Sequence, residues 1–164
     1  MRLAVTVAVT VAFALGAAVG CGGPQTKPDR GLPVYLELTG LDGERVRVRE
    51  LRGKPAVLHL FTVGSMAAQM DVSQLNAAHD AGEVAVLGIG LDPNAEVLIR
   101  AWAQESGARY RVAIGDEDLT MGKTDLGSIA AVPTTILLDD EGLVIYRTNA
   151  QLRPGELERA LGSK

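Results

Sequence analysis

From Leu32 to the C-terminus, apolar and polar positions fall into short blocks, and each block predicts one element. Val34-Tyr35-Leu36-Glu37-Leu38 reads as a strand, Leu41-Asp42-Gly43-Glu44 as a hairpin turn, and Arg45-Val46-Arg47-Val48 as the returning strand. Arg and Val alternate in that second strand, so one face is solvated and the strand belongs at a sheet edge rather than in a binding patch. Gly53-Lys54-Pro55 introduces the apolar run from Ala56 to Phe61, which suits a strand buried on both faces. The spacing predicts a helix over 66–81 ended by Gly82, and a second buried strand over 84–91. Asp92-Pro93-Asn94 then starts a helix over 95–106 that ends at Gly107. After a loop through Gly115-Asp116-Glu117-Asp118, a short helix is expected over 119–126. Ile136-Leu137-Leu138, a turn over 139–142 and Leu143-Val144-Ile145-Tyr146 form a hairpin, and 154–161 closes the chain as a helix. The order implies an α/β fold with parallel central strands, antiparallel strands added at one side, and helices on both faces.

The segment before this domain has a different pattern. Met1-Arg2 is followed by an uncharged run from Leu3 to Gly20, the n-region and h-region of a secretory leader. It ends in Ala17-Ala18-Val19-Gly20-Cys21, which resembles a bacterial lipobox, with Ala18 where leucine is usual. Residues 1–20 are therefore expected to be a lipoprotein-type signal, with Cys21 acylated as the mature N-terminus. A plain secretory signal or an uncleaved anchor remains open, since about eighteen apolar residues can just span a bilayer. All three place the domain outside the cytoplasm. Residues 21–31, rich in Gly and Pro, read as a tether, and 32–164 as a single domain.

Composition narrows the chemistry. The 164 residues carry a formal charge of −4, with 16 Lys and Arg against 20 Asp and Glu and no basic cluster, which makes nucleic acid a poor partner. Cys21 is the one cysteine, so no intramolecular disulfide is possible and the domain holds no thiolate nucleophile.

Two segments carry a family resemblance. Gly53-Lys54-Pro55-Ala56-Val57-Leu58-His59-Leu60-Phe61 resembles the strand that leads into the active site of TlpA/ResA-type proteins, thioredoxin-fold members of the AhpC/TSA redoxin group. Ala131-Val132-Pro133-Thr134-Thr135-Ile136-Leu137-Leu138-Asp139-Asp140-Glu141-Gly142 resembles their Val-Pro-Thr-Thr segment. The similarity runs from Leu32 to the C-terminus. It implies a thioredoxin-like mixed sheet flanked by helices, with an N-terminal β-hairpin, and thiol–disulfide oxidoreduction as the family activity. It also implies a Trp-Cys-x-x-Cys motif at the first helix. Here Thr62 to Ser65 lead in, Met66 is set at the first cysteine and Gln69 at the second, with Ala67-Ala68 between. A thioether cannot ionise or exchange and an amide has no sulfur, so dithiol chemistry has no means to proceed at these positions. What the resemblance leaves is recognition. Pro133 is expected to be cis and to face the helix start, with the Val132 backbone and Thr134 beside it, where an extended client segment pairs with the chain. The alternative is that this turn is kept only because it builds the fold.

Other constellations are weaker. His59, Met66 and Met70 are soft donors suited to Cu(I), yet two methionines four apart are by default a helix-face or core pair, and a strand histidine a core residue. His79 is expected at the surface beside the negative end of the first helix. Gly122-Lys123-Thr124 lacks the earlier glycine of a phosphate loop, Glu117 standing there, and Gly88-x-Gly90 has no third glycine. No resident cofactor or metal is expected. The expected role is an envelope-facing, membrane-anchored binding protein that holds an exported protein or peptide segment without redox turnover. An oxidoreductase completed by a partner's cysteine and a Met/His copper-handling protein are the alternatives.

Overall fold

A computed structural model describes residues 31–162. The leader 1–20, Cys21 and all but the last residue of the 21–31 tether lie outside the described residues.

Seven strands form one mixed sheet: β1 (Glu37–Gly40), β2 (Arg45–Arg47), β3 (Ala56–Phe61), β4 (Ala85–Gly90), β5 (Arg111–Ile114), β6 (Thr134–Leu138) and β7 (Val144–Thr148). Their order is β2-β1-β5-β4-β3-β6-β7. The helices are α1 (Met66–Ala81), α2 (Glu96–Glu105), α3 (Glu117–Thr120) and α4 (Glu156–Gly162), with a 3-10 turn at Val48–Leu51.

β3 is buried along its whole length and divides the core in two, because successive side chains point to opposite faces. Leu58 and Leu60 join Leu87, Ile89, Ile136 and Leu119 on one face, together with Val34, Leu36, Val46 and Val48 of the N-terminal segment. Val57 and Phe61 join Val86, Val112 and Leu137 on the other, covered by Val72 and Leu75 of α1, Ile99 and Trp102 of α2, and Leu157 of α4. The three longer helices thus share one face, and the short α3 lies against the opposite one.

The hairpin, both buried strands and α1 form where the sequence pattern places them, within a few residues. β2 is an edge strand, and its Arg45 and Arg47 pair with Glu37 on the solvated side. Three expectations are corrected. β5 forms where a loop is expected, pairing parallel with β4 and antiparallel with β1. Antiparallel strands consequently flank the parallel core on both sides, not one. The helix expected over 119–126 is the single turn α3, which Asp116 caps by accepting from the Leu119 amide at 2.8 Å and which gives way to Gly122 at φ +70.

Candidate functional site

The chain leaves the sheet three times at one edge, the carboxyl ends of the parallel strands β3, β4 and β5. The loops there are stitched together by backbone geometry. The Leu91 amide donates to the Phe61 carbonyl and the Gly115 amide to the Gly90 carbonyl, each at 2.8 Å. Asp92 accepts from the Val63 amide at 2.8 Å, which fixes the loop before α1 against the loop before α2. β6 runs antiparallel to β3, with Thr134 opposite Leu60, so residues 131–133 arrive at the same edge.

The mouth of α1 is built around Ser65. It sits in extended conformation immediately before the helix, and its hydroxyl accepts from the Ala68 amide at 3.2 Å. One of the helix's unpaired amides is thereby satisfied, at the end where the helix dipole favours negative charge. Ala68 is wholly buried. Met66 and Gln69, the two positions singled out from the resemblance, are instead both exposed, Met66 at 69%. The signal for Ser65 was available as a cap-forming residue directly ahead of the helix, with no cysteine required to see it.

The Val132–Pro133 peptide is cis. Pro133 and Thr134 are buried, and the Thr134 hydroxyl donates to the Ala131 carbonyl at 2.6 Å. Their side chains therefore belong to the fold's interior; Val132 is half-buried and Ala131 is the exposed residue of this turn.

Behind the helix mouth lie polar groups that the sequence pattern does not single out, apart from His59. The His59 ring is completely buried, with Nδ1 3.0 Å from the Thr135 hydroxyl, and burial pulls its pKa down to about 4. Asp71 of α1 is also buried; it accepts from the Leu152 amide at 2.9 Å, and burial pushes its pKa up to about 6 against the effect of that bond. His59 Nε2, Asp71 Oδ2 and the Tyr110 hydroxyl have no hydrogen-bond partner among the described residues. Trp102 stacks on Phe61 with ring centroids 3.9 Å apart, closing the core beneath the loop. His59 is thus a core residue, while Met66 and Met70 are 69% and 56% exposed, so the three do not converge as ligands. Among the described residues no group of three His, Cys, Asp or Glu is arranged to hold a metal. His79 lies in the last turn of α1, half-buried.

A mixed sheet of this order, with a long helix starting at the edge where a cis-proline turn arrives, defines a thioredoxin-like domain. The chain belongs to the AhpC/TSA family, whose model matches residues 31–147. It is 29% identical over 103 residues to the thiol:disulfide interchange protein DsbE of Escherichia coli K12, covering 63% of this chain and 54% of that one. The chain thus spans about half the length of the curated relatives it matches. In fold it is similar to a DsbF homologue from Corynebacterium diphtheriae, with a TM-score of 0.75 at 17% identity over 93% of this chain and 99% of the other. A secreted Mycobacterium tuberculosis disulfide oxidoreductase gives a TM-score of 0.65 at 16% identity, over 79% and 96% of the two chains.

Proposed function

We propose that this protein is a thioredoxin-fold binding protein of the cell envelope, anchored through Cys21, which engages an exported protein or peptide segment at the α1 mouth without transferring electrons. The observation that carries this reading is the residue content of that mouth. Thiol–disulfide exchange needs a thiolate at the helix N-terminus and a second, shielded thiol to resolve the mixed disulfide. The side chain best placed to feel the helix N-terminus is Ser65, and the shielded position one turn on is Ala68. We therefore assign the vestigial pair to Ser65 and Ala68 rather than to Met66 and Gln69. Either assignment leaves no ionisable sulfur. The likeness to a secreted Mycobacterium tuberculosis disulfide oxidoreductase and a secreted Corynebacterium glutamicum thiol-disulfide isomerase supports an envelope location.

The test compares the purified wild-type chain with the Ser65→Cys/Ala68→Cys double variant in insulin reduction. Wild type is expected to match buffer, and the double variant to gain both a titratable disulfide and turnover. Turnover by wild type alone would overturn the non-catalytic reading. A disulfide that forms in Met66→Cys/Gln69→Cys but not in Ser65→Cys/Ala68→Cys would return the vestigial pair to the exposed positions.

A further inference from the structure

The chain between β7 and α4 is held on α1 through the backbone of one residue, Leu152. Asp71 accepts from its amide at 2.9 Å, and Gln74, a turn further along α1, donates through Nε2 to its carbonyl at 2.8 Å. The Leu152 side chain is buried in the same half of the core as Leu157 of α4 and Leu75 of α1. α4 has seven residues, too few for a helix to persist in water by itself, so its place depends on these contacts.

The acceptor that holds Leu152 is poorly suited to carrying a charge. Asp71 is completely buried; one oxygen takes the Leu152 amide, and the other, Oδ2, has no donor among the described residues. Glu156, at the start of α4, is fixed nearby. Its carboxylate accepts from the Tyr146 hydroxyl and, at 2.7 Å, from the Arg153 amide, and its charge opposes ionisation of Asp71. The other groups around the contact do not offset this. The buried Tyr110 hydroxyl stays protonated, and the His59 ring is neutral above about pH 4. Arg153 is exposed and forms no ion pair with Asp71, while Arg159 turns back to the Pro154 carbonyl at 3.3 Å, beside the exposed Glu158. A carboxylate here is disfavoured twice, by loss of water and by a second carboxylate. Both penalties are relieved once the Leu152 connection lifts and water reaches Asp71.

We infer that the Asp71–Leu152 contact is a pH-sensitive latch, closed while Asp71 is protonated and loosened when it ionises, which frees residues 150–156 and α4 from α1 while the sheet stays folded. The inference is independent of the binding role proposed above.

It is tested on the full chain by amide hydrogen exchange, followed by NMR and corrected for the intrinsic effect of pH on exchange. With the Asp71 carboxyl at about 6 when latched and at its ordinary 3.8 when solvated, protection of the Leu152 amide and of residues 157–161 should fall about tenfold from pH 5 to pH 7. Protection of β3 and β4 should not fall. Asp71→Asn, which keeps an oxygen for the Leu152 amide, should abolish the fall. Glu156→Gln, which keeps acceptors for Tyr146 and Arg153, should shrink it, and Arg153→Gln should leave it in place. In wild type the Asp71 carboxyl carbon should titrate together with the loss of protection. A flat profile for α4, a fall shared equally by β3 and β4, a fall that survives in Asp71→Asn, or one that disappears in Arg153→Gln would each overturn the latch.

Discussion

At the scale of single residues, Ser65 holds the mouth of α1. Its hydroxyl bonds the Ala68 amide, so the residue stabilises the fold as a cap. Ser65→Ala should lower stability by about 1 kcal/mol in urea denaturation, and Ser65→Asp should restore it, since a carboxylate caps equally well. His59 and Asp71 respond to pH in opposite senses. With a folded pKa of about 4, below the ordinary histidine value of 6.5, His59 contributes stability that is present above pH 6.5 and lost as pH falls toward 4. Asp71, at about 6 against 3.8, does the reverse: its contribution is present at low pH and is lost as pH rises through 6. The two offset each other between pH 4 and 6. Asp71→Asn removes one of them while keeping an oxygen for the Leu152 amide. Its urea midpoint should therefore rise more steeply with pH over that window than wild type's, and it should exceed wild type at pH 7. An unchanged pH profile would show that Asp71 carries no raised pKa.

At the scale of elements, α2 is seated on β4 through an approach that only glycine permits. A Cβ at Gly90 would lie 2.7 Å from Ile99 Cδ1 and within 2.9 Å of two more Ile99 carbons. Ile99 is itself fully buried, so it has little room to withdraw. Gly90→Ala should cost about 1–3 kcal/mol by overpacking. Ile99→Ala alone should cost about 2–5 kcal/mol through its cavity. The double variant should lose less than the sum of the two, because each change relieves the other; thermal or urea melts of all four proteins measure the coupling.

At the scale of the whole molecule, the parallel core sends three loops to one edge and the proline turn returns there, so the chemistry of the fold is concentrated at one end. Much of this was legible along the chain. The uniform apolar run of β3, the span of α1 and the hairpin at β1–β2 follow from periodicity and turn residues, which act over a few positions. β5 was not legible. Arg111-Val112-Ala113-Ile114 is four residues long, mixes a charge with a weak strand former, and becomes a strand because β4 and β1 each offer it an open edge. The surroundings of the α1 mouth were not legible either: the resemblance sets Met66 and Gln69 at the cysteine positions, and only the structure shows that both are exposed while Ser65 caps the helix and Ala68 is buried, which is why the proposed pair is Ser65 and Ala68.

What the sequence by itself determined is a chemical limit: with Cys21 the one cysteine, the domain carries no sulfur that can ionise at its helix mouth, a fact of residue identity that no folding alters. It also determined most of the elements, because their signals are local. Tertiary structure alone decided which residue faces the helix dipole, that His59 is enclosed while Met66 and Met70 stay in solvent, and that the loops before α1 and α2, far apart in the chain, are tied through Val63 and Asp92. These depend on strand order and on which side of the sheet each helix crosses, and those are set by contacts between residues distant in sequence.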